Sequence, residues 1–400
     1  MTPHSDSPRT DAPHATEGPD QDLRRSLGVG RRRFLSTCTA VAGAAIAAPV
    51  LGASPAFAQD RENTHGHRER GHGGDVLVPA HRRGIILYTV RDATGRDPLS
   101  TDLPSGFREV FAQLARFGYR QVEFAGYGQH ANAPGGAGLE SVEGARLLRR
   151  WLDEYGLRAQ GNHGFIPPSW PLTTADLDTF KKHLEIANIL GMDHMGTGGD
   201  PTNSSYRADW DVAADKWNAL GRIARREGVK LYTHNHDAAY GFLLDGGPLD
   251  DQGRPTRSSG VRRLEYFLEV TDPKYVWLEM DVFWAHVARY KFHTYTAHDG
   301  STREKVFDPA GLVARHNKRY PLFHAKDGTV NTANGQGYDM VPFGTGVIDY
   351  ATFFSRVGER NYHNPMVEQD NAPSSTDPGQ SLRHARTGHD NLAALRGRRH

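Results

Sequence analysis

Eight short apolar runs, separated by amphipathic stretches, constrain this chain more than any other feature. They fall at 84–90, 121–125, 158–163, 192–197, 229–234, 275–281, 320–325 and 364–369. Strand-length runs alternating with helix-length segments are the pattern of a parallel sheet whose strands are joined by covering helices. Between the first two runs Phe107, Val110, Phe111, Leu114 and Phe117 recur at three and four residues, and Leu177, Phe180, Leu184 and Ala187 do so before the fourth. Each set marks one buried helix face. A last helix is expected over 377–395. Eight right-handed crossovers close into an α/β fold, a single-domain (β/α)8 or TIM barrel over 84–400. The competing fold, a doubly wound open sheet, carries a Gly-rich phosphate loop after its first strand, and Leu87-Tyr88-Thr89-Val90-Arg91-Asp92 contains no glycine. Long connections at 238–258, 291–309 and 331–342 are expected to cover a substrate at the rim.

The segment before the first run breaks this rhythm. Gly30-Arg31-Arg32-Arg33-Phe34-Leu35-Ser36 leads into a small-residue apolar stretch over 37–52, then into Ala56-Phe57-Ala58, which has the A-x-A form of a signal-peptidase site. The stretch is Ala/Gly-rich, broken by Pro49, and shorter than the roughly 20 apolar residues a membrane span needs. Residues 1–58 resemble a twin-arginine signal peptide. That resemblance implies export to the periplasm or beyond, no stable membrane association after cleavage, and, because the route carries folded proteins, a cofactor loaded beforehand. Cleavage after Ala58 removes Cys38, the single cysteine, so the mature fold rests on packing or on a bound metal. The leader takes six arginines and five acids from totals of 48 and 47, which leaves 42 basic against 42 acidic residues in the remaining 342. That balance argues against a nucleic-acid binder with a broadly basic surface. Residues 59–83 are charged and Gly-rich, carry His65, His67 and His72, and show no apolar period, so they read as a disordered linker.

Successive strand residues point to opposite faces. Glu279 and Asp281 therefore share one face of the sixth run, and Tyr232, His234 and His236 share one face of the fifth. Ionisable groups are costly inside a sheet, but at the C-terminal mouth of a barrel they converge where a cation can neutralise them. The converging set is Glu123 on the second run, His163 on the third, His234 and His236 on the fifth, Asp281 on the sixth, His324 on the seventh and Glu368 on the eighth. Mixed nitrogen and oxygen donors suit Mn2+, Co2+ or Zn2+. Plainer readings stand beside this one: His163 as a hydrogen-bonded loop histidine or a substrate contact, and Asp281 and Glu279 as ion-pair partners of Lys326 and an arginine. Acids or imidazoles at the ends of four consecutive strands favour a shared site. Trp170, Trp284, Tyr127 and Phe283 lie in or beside strand-end segments, where flat rings stack on sugar faces; Phe283 reads better as core.

Several strings carry a further resemblance. Val229-Lys230-Leu231-Tyr232-Thr233-His234-Asn235-His236-Asp237, Trp277-Leu278-Glu279-Met280-Asp281-Val282-Phe283-Trp284 and Phe323-His324-Ala325-Lys326-Asp327 resemble the sugar phosphate isomerase/epimerase family, the xylose isomerase-like barrels. So do Gly118-Tyr119-Arg120-Gln121-Val122-Glu123, Val341-Pro342-Phe343-Gly344-Thr345-Gly346 and Val367-Glu368-Gln369-Asp370. The resemblance implies a divalent metal held by Glu, Asp, His and Glu at the ends of strands five to eight. The last three carry over to Asp281, His324 and Glu368. No glutamate occurs in 229–240, so His234 or His236 takes the first place, with His236 preferred as nearer the expected mouth.

Such a metal site stabilises the enediolate left when a proton leaves the carbon next to a sugar carbonyl. On this reading Glu368 serves as base, with Glu123, His163 or the unused strand-five histidine returning the proton. Lys326 steadies the oxyanion or holds Asp327 and Glu279. Trp170, Trp284 and Asp327 contact the substrate. The expected function is an exported, metal-dependent isomerase or epimerase acting on an unphosphorylated sugar or keto-sugar, since phosphorylated sugars are largely cytoplasmic. A lyase eliminating the aglycone of 3-keto-glycosides and a non-catalytic sugar-binding protein are the alternatives. A nucleic-acid-cleaving relative is disfavoured by the charge balance, and a homo-oligomer is left open.

Overall fold

Eight strands form one parallel sheet: β1 (Gly84–Ile86), β2 (Gln121–Phe124), β3 (Arg158–Asn162), β4 (His194–Met195), β5 (Lys230–Thr233), β6 (Val276–Asp281), β7 (Leu322–Ala325) and β8 (Asn364–Val367). Each falls inside one of the eight expected runs. The computed structural model describes residues 75–358 and 360–397, so the leader and the linker up to residue 74 lie outside the described residues. Strand order is β3-β2-β1-β8-β7-β6-β5-β4. The two outer strands meet through a parallel bridge between His163 and Gly196, with Gly164 N–H donating to Gly196 O at 2.7 Å and Gly196 N–H to Asn162 O at 3.0 Å. The sheet thereby comes round into a barrel.

Helices cover the outside: α1 (Gly106–Phe117), α2 (Val142–Glu154), α3 (Thr174–Leu190), α4 (Arg207–Arg226), α5 (Arg263–Val270), α6 (Val282–Lys291), α7 (Pro309–Arg315), α8 (Tyr350–Val357) and α9 (Gln380–Ala394). The anticipated faces are buried: Phe107, Val110, Phe111 and Leu114 on α1, and Phe180, Leu184 and Ala187 on α3, with Phe117 packed at the edge of the same core. Outward strand residues such as Val122, Phe124, Leu231 and Phe323 pack against these helices. Each contributes about 1.5–3 kcal/mol by burial. Inward residues Ile86, Tyr232, Trp277, Leu322 and Met366 form a separate plug in the barrel. That plug requires Gly84, where a Cβ would collide with Met366 Sδ. No helix of the described residues is long and apolar enough to cross a membrane.

One expectation needs correction. The linker reading of 59–83 fails for its last nine residues. Val76 bridges to Arg396, Leu77 N–H donates to Leu395 O at 3.3 Å, and Leu77 and Val78 are 2% exposed. The apolar triplet Val76-Leu77-Val78 pairs with the chain's far end and packs into the main core, which a local period does not reveal. The long connections are built on antiparallel hairpins: Gly246–Leu249 with Pro255–Arg257 inside 238–258, Thr294–Thr296 with Thr302–Glu304 inside 291–309, and Tyr338–Val341 of 331–342 with Asp327–Val330 just before it.

Candidate active site

Strand parity brings the polar side chains together inside the barrel. Glu123, Glu279, Asp281 and His324 are 0% exposed and Glu368 is 3%. His324 is the hub. Its Nε2 lies 2.9 Å from Glu123 Oε2 and 3.1 Å from Glu279 Oε2, and its Nδ1 lies 2.5 Å from Glu368 Oε2. Glu279 Oε2 also lies 3.0 Å from His234 Nδ1 and 3.4 Å from His163 Nε2. Toward the rim, Lys326 Nζ sits 2.9 Å from Asp281 Oδ2, 3.0 Å from Glu368 Oε2 and 3.0 Å from Asp370 Oδ1. Asp281 is fixed from its other oxygen, which caps α6 by accepting Trp284 N–H at 3.0 Å.

Charge is divided unevenly in this space. Burial and the neighbouring Glu123 push Glu279 well above the carboxylate range. Burial also lifts Asp281 to about 6 against the pull of Lys326. Burial works the same way on Glu368, but His324 and Lys326 outweigh it and hold that carboxylate ionised. Burial drives His163 down to about 4, His236 to about 3 and His234 well below its ordinary value, so all three are neutral bases. It opposes charge on His324 as well, yet Glu279, Glu368 and Glu123 together raise that imidazole well above its usual value.

Two donor sets stand out, His163, His234, Glu279 and His324, and Asp281, His324 and Glu368, each with its ligand atoms within 4.8 Å of one another. Asp281 Oδ2, His324 Nδ1, Glu368 Oε2 and Glu279 Oε1 are buried and make no well-directed hydrogen bond among the described residues, although charged groups lie close to the first three. Buried polar atoms are rarely left so, and the donor types fit a divalent cation.

The sequence profile of xylose isomerase-like TIM barrels matches residues 111–388. The chain belongs to that family. A sugar phosphate isomerase/epimerase from Parabacteroides distasonis superposes with a TM-score of 0.55 at 20% identity, over 79% of this chain and 95% of the other. A second from the same organism gives 0.53 at 16% identity, over 77% and 96%. At these identities the likeness is one of fold. No curated protein matches the chain in sequence.

Within this xylose isomerase-like barrel the expected residues separate into those at the cluster and those outside it. Glu123, His163, His234, Asp281, His324, Lys326 and Glu368 converge. Of the two strand-five histidines, His234 is 2% exposed and belongs to a donor set, whereas His236 lies in neither set, its ring centroid 5.1 Å from that of His234. Position along the chain favoured His236, but β5 ends at Thr233, and His234 is the residue that follows directly into the cluster. Trp284 stands beside His236, with ring centroids 5.6 Å apart. Trp170 is 39% exposed on the connection between β3 and α3. Asp327 is 1% exposed, and its carboxylate accepts the N–H groups of Gly328, Gly344, Gly346 and Ile348. It anchors the hairpin that follows β7. Tyr127 and Phe283 are core, the former accepting from Asn162 Nδ2 at 2.8 Å.

Sequence reasoning undervalued Glu279, Tyr232 and Asp370. Among the described residues the ion-pair partners of Glu279 are three histidines and no arginine. The Tyr232 hydroxyl donates to Glu123 and lies 2.9 Å from Asn162 O. All three share strand parity with residues already singled out, and parity was the signal that could have found them.

Proposed function

We propose that this chain is an exported isomerase or epimerase that moves a proton next to the carbonyl of an unphosphorylated sugar or keto-sugar, assisted by one divalent cation. The observation that supports this reading is the gathering of an ionised carboxylate, neutral imidazoles and an ammonium at the ends of strands β5 to β8 in a barrel of this family.

Glu368, kept ionised by His324 and Lys326, takes the proton from carbon. Lys326, locked among Asp281, Glu368 and Asp370, places its positive charge where an oxygen gains electron density. The proton that Glu368 has taken is the one it hands back to carbon; His163 is neutral, and its side chain is 19% exposed. Glu123 has no exposed surface and acts through His324 as a positioning residue. His236 and Trp284 wall the mouth. When bound, a divalent cation supplies further positive charge against the sugar oxygens. The arginine-led leader supports export, and export supports an unphosphorylated substrate.

Deuterium uptake from heavy water into a panel of ketoses and keto-sugars tests the reading. The expected result is exchange that disappears on chelation and returns with Mn2+, Co2+ or Zn2+. Metal-replete protein that exchanges nothing across the panel overturns it.

A further inference from the structure

We propose that the cation sits one layer deeper than the rim, on His163 Nε2, His234 Nδ1, His324 Nε2 and Glu279 Oε2, making a three-histidine, one-carboxylate centre. This rests on the reading that the barrel holds a divalent ion and specifies its donors.

The rim triad of Asp281, His324 and Glu368 already has its cation, since the Lys326 ammonium lies 2.9 Å from Asp281 Oδ2 and 3.0 Å from Glu368 Oε2. A metal on those same oxygens would be pressed against a like charge. The deeper carboxylates differ. Glu123 and Glu279 are wholly buried, and the ion-pair partners they have among the described residues are all histidines. Among the described residues no ammonium or guanidinium stands against these two carboxylates where a metal would have to compete with it.

Geometry agrees. Four ligands at the usual zinc–nitrogen distance stand at tetrahedral corners about 3.4 Å apart. Glu279 Oε2 lies 3.0, 3.1 and 3.4 Å from the nitrogens of His234, His324 and His163, and all four donor atoms lie within 4.8 Å of one another. Glu279 Oε1 has no hydrogen-bond partner among the described residues. Asp281 Oδ2 stands 3.7 Å from His234 Nε2, behind the nitrogen that faces Glu279, where a carboxylate orients a ligating imidazole. A nitrogen-rich set of this kind prefers Zn2+ or Co2+ to Mn2+ or Mg2+.

The test is Co2+ titration of the metal-stripped full chain, read by elemental stoichiometry and by visible absorption. One ion per chain with the intense band of four-coordinate cobalt is expected. His163→Ala and Glu279→Gln each remove the band and weaken binding by more than about 100-fold, whereas Glu368→Gln stays within about tenfold, Asp281→Asn, which touches His234 from behind, weakens binding by about 10–100-fold, and both keep the band. The reverse pattern overturns the deeper placement and leaves the metal-dependent reading standing. A wild-type chain that binds no Co2+ overturns both. If Glu279→Gln does not fold, His163→Ala decides alone, because that side chain is 19% exposed and its loss leaves no sealed cavity.

Discussion

At the scale of single residues, Lys326 shows how one side chain sets the character of the site. Its ammonium is buried, 3% exposed, and holds Asp281, Glu368 and Asp370 within 3.0 Å. Removing one partner from a buried charge cluster leaves the others uncompensated, which typically costs about 3–5 kcal/mol. Lys326→Met is therefore expected to lose about that much stability in denaturant unfolding near neutral pH. A variant as stable as the parent would mean that these carboxylates are not charged in the folded chain. The residue was legible in the sequence, and so was its pairing with Asp281. What was not legible was the partner of Glu279: parity placed that acid in the barrel, but only the closure of β3 against β4 brings His163 to it.

At the scale of elements, strand and helix positions were readable because periods of two and 3.6 are local properties. The rim was not readable, since its order comes from hydrogen bonds between segments. Asp245 is an example. It accepts Ser259 N–H at 2.7 Å and lies 2.9 Å from His298 Nε2, tying the hairpin of Gly246–Leu249 and Pro255–Arg257 to the neighbouring one. Burial would raise its carboxyl, but the bonds from Ser259 and His298 prevail and hold it below the usual carboxylate value. A folded value below the unfolded one means that stabilisation is complete above the unfolded value and is lost as pH falls through the folded one. Amide exchange in 246–257 is expected to quicken selectively as pH falls below the usual carboxylate range, after correction for intrinsic rates. Asp245→Asn should remove that selectivity. Equal acid sensitivity in the variant would show that Asp245 is not the tie.

At the scale of the whole molecule, the barrel was legible as a count of eight, and the family followed from ordered strings. The segment over 75–83 was left out of the fold because residues before β1 looked too polar to pack. Their structure depends on the opposite end of the sequence. Val76 pairs with Arg396, Gly397 N–H donates to Asp75 O at 2.8 Å, and Arg82 reaches Asn364 Oδ1 at 2.7 Å at the foot of β8. Leu77 and Val78 are buried in the main core. Burying two aliphatic side chains is worth about 3–5 kcal/mol together. A chain begun at residue 84, as the eight-run pattern suggests, should be less stable by about that amount than one begun at residue 75. Denaturant unfolding of the two forms decides it. If those begun at 75 and 84 unfold together, the segment over 75–83 only lies on the barrel, and the fold is complete without it.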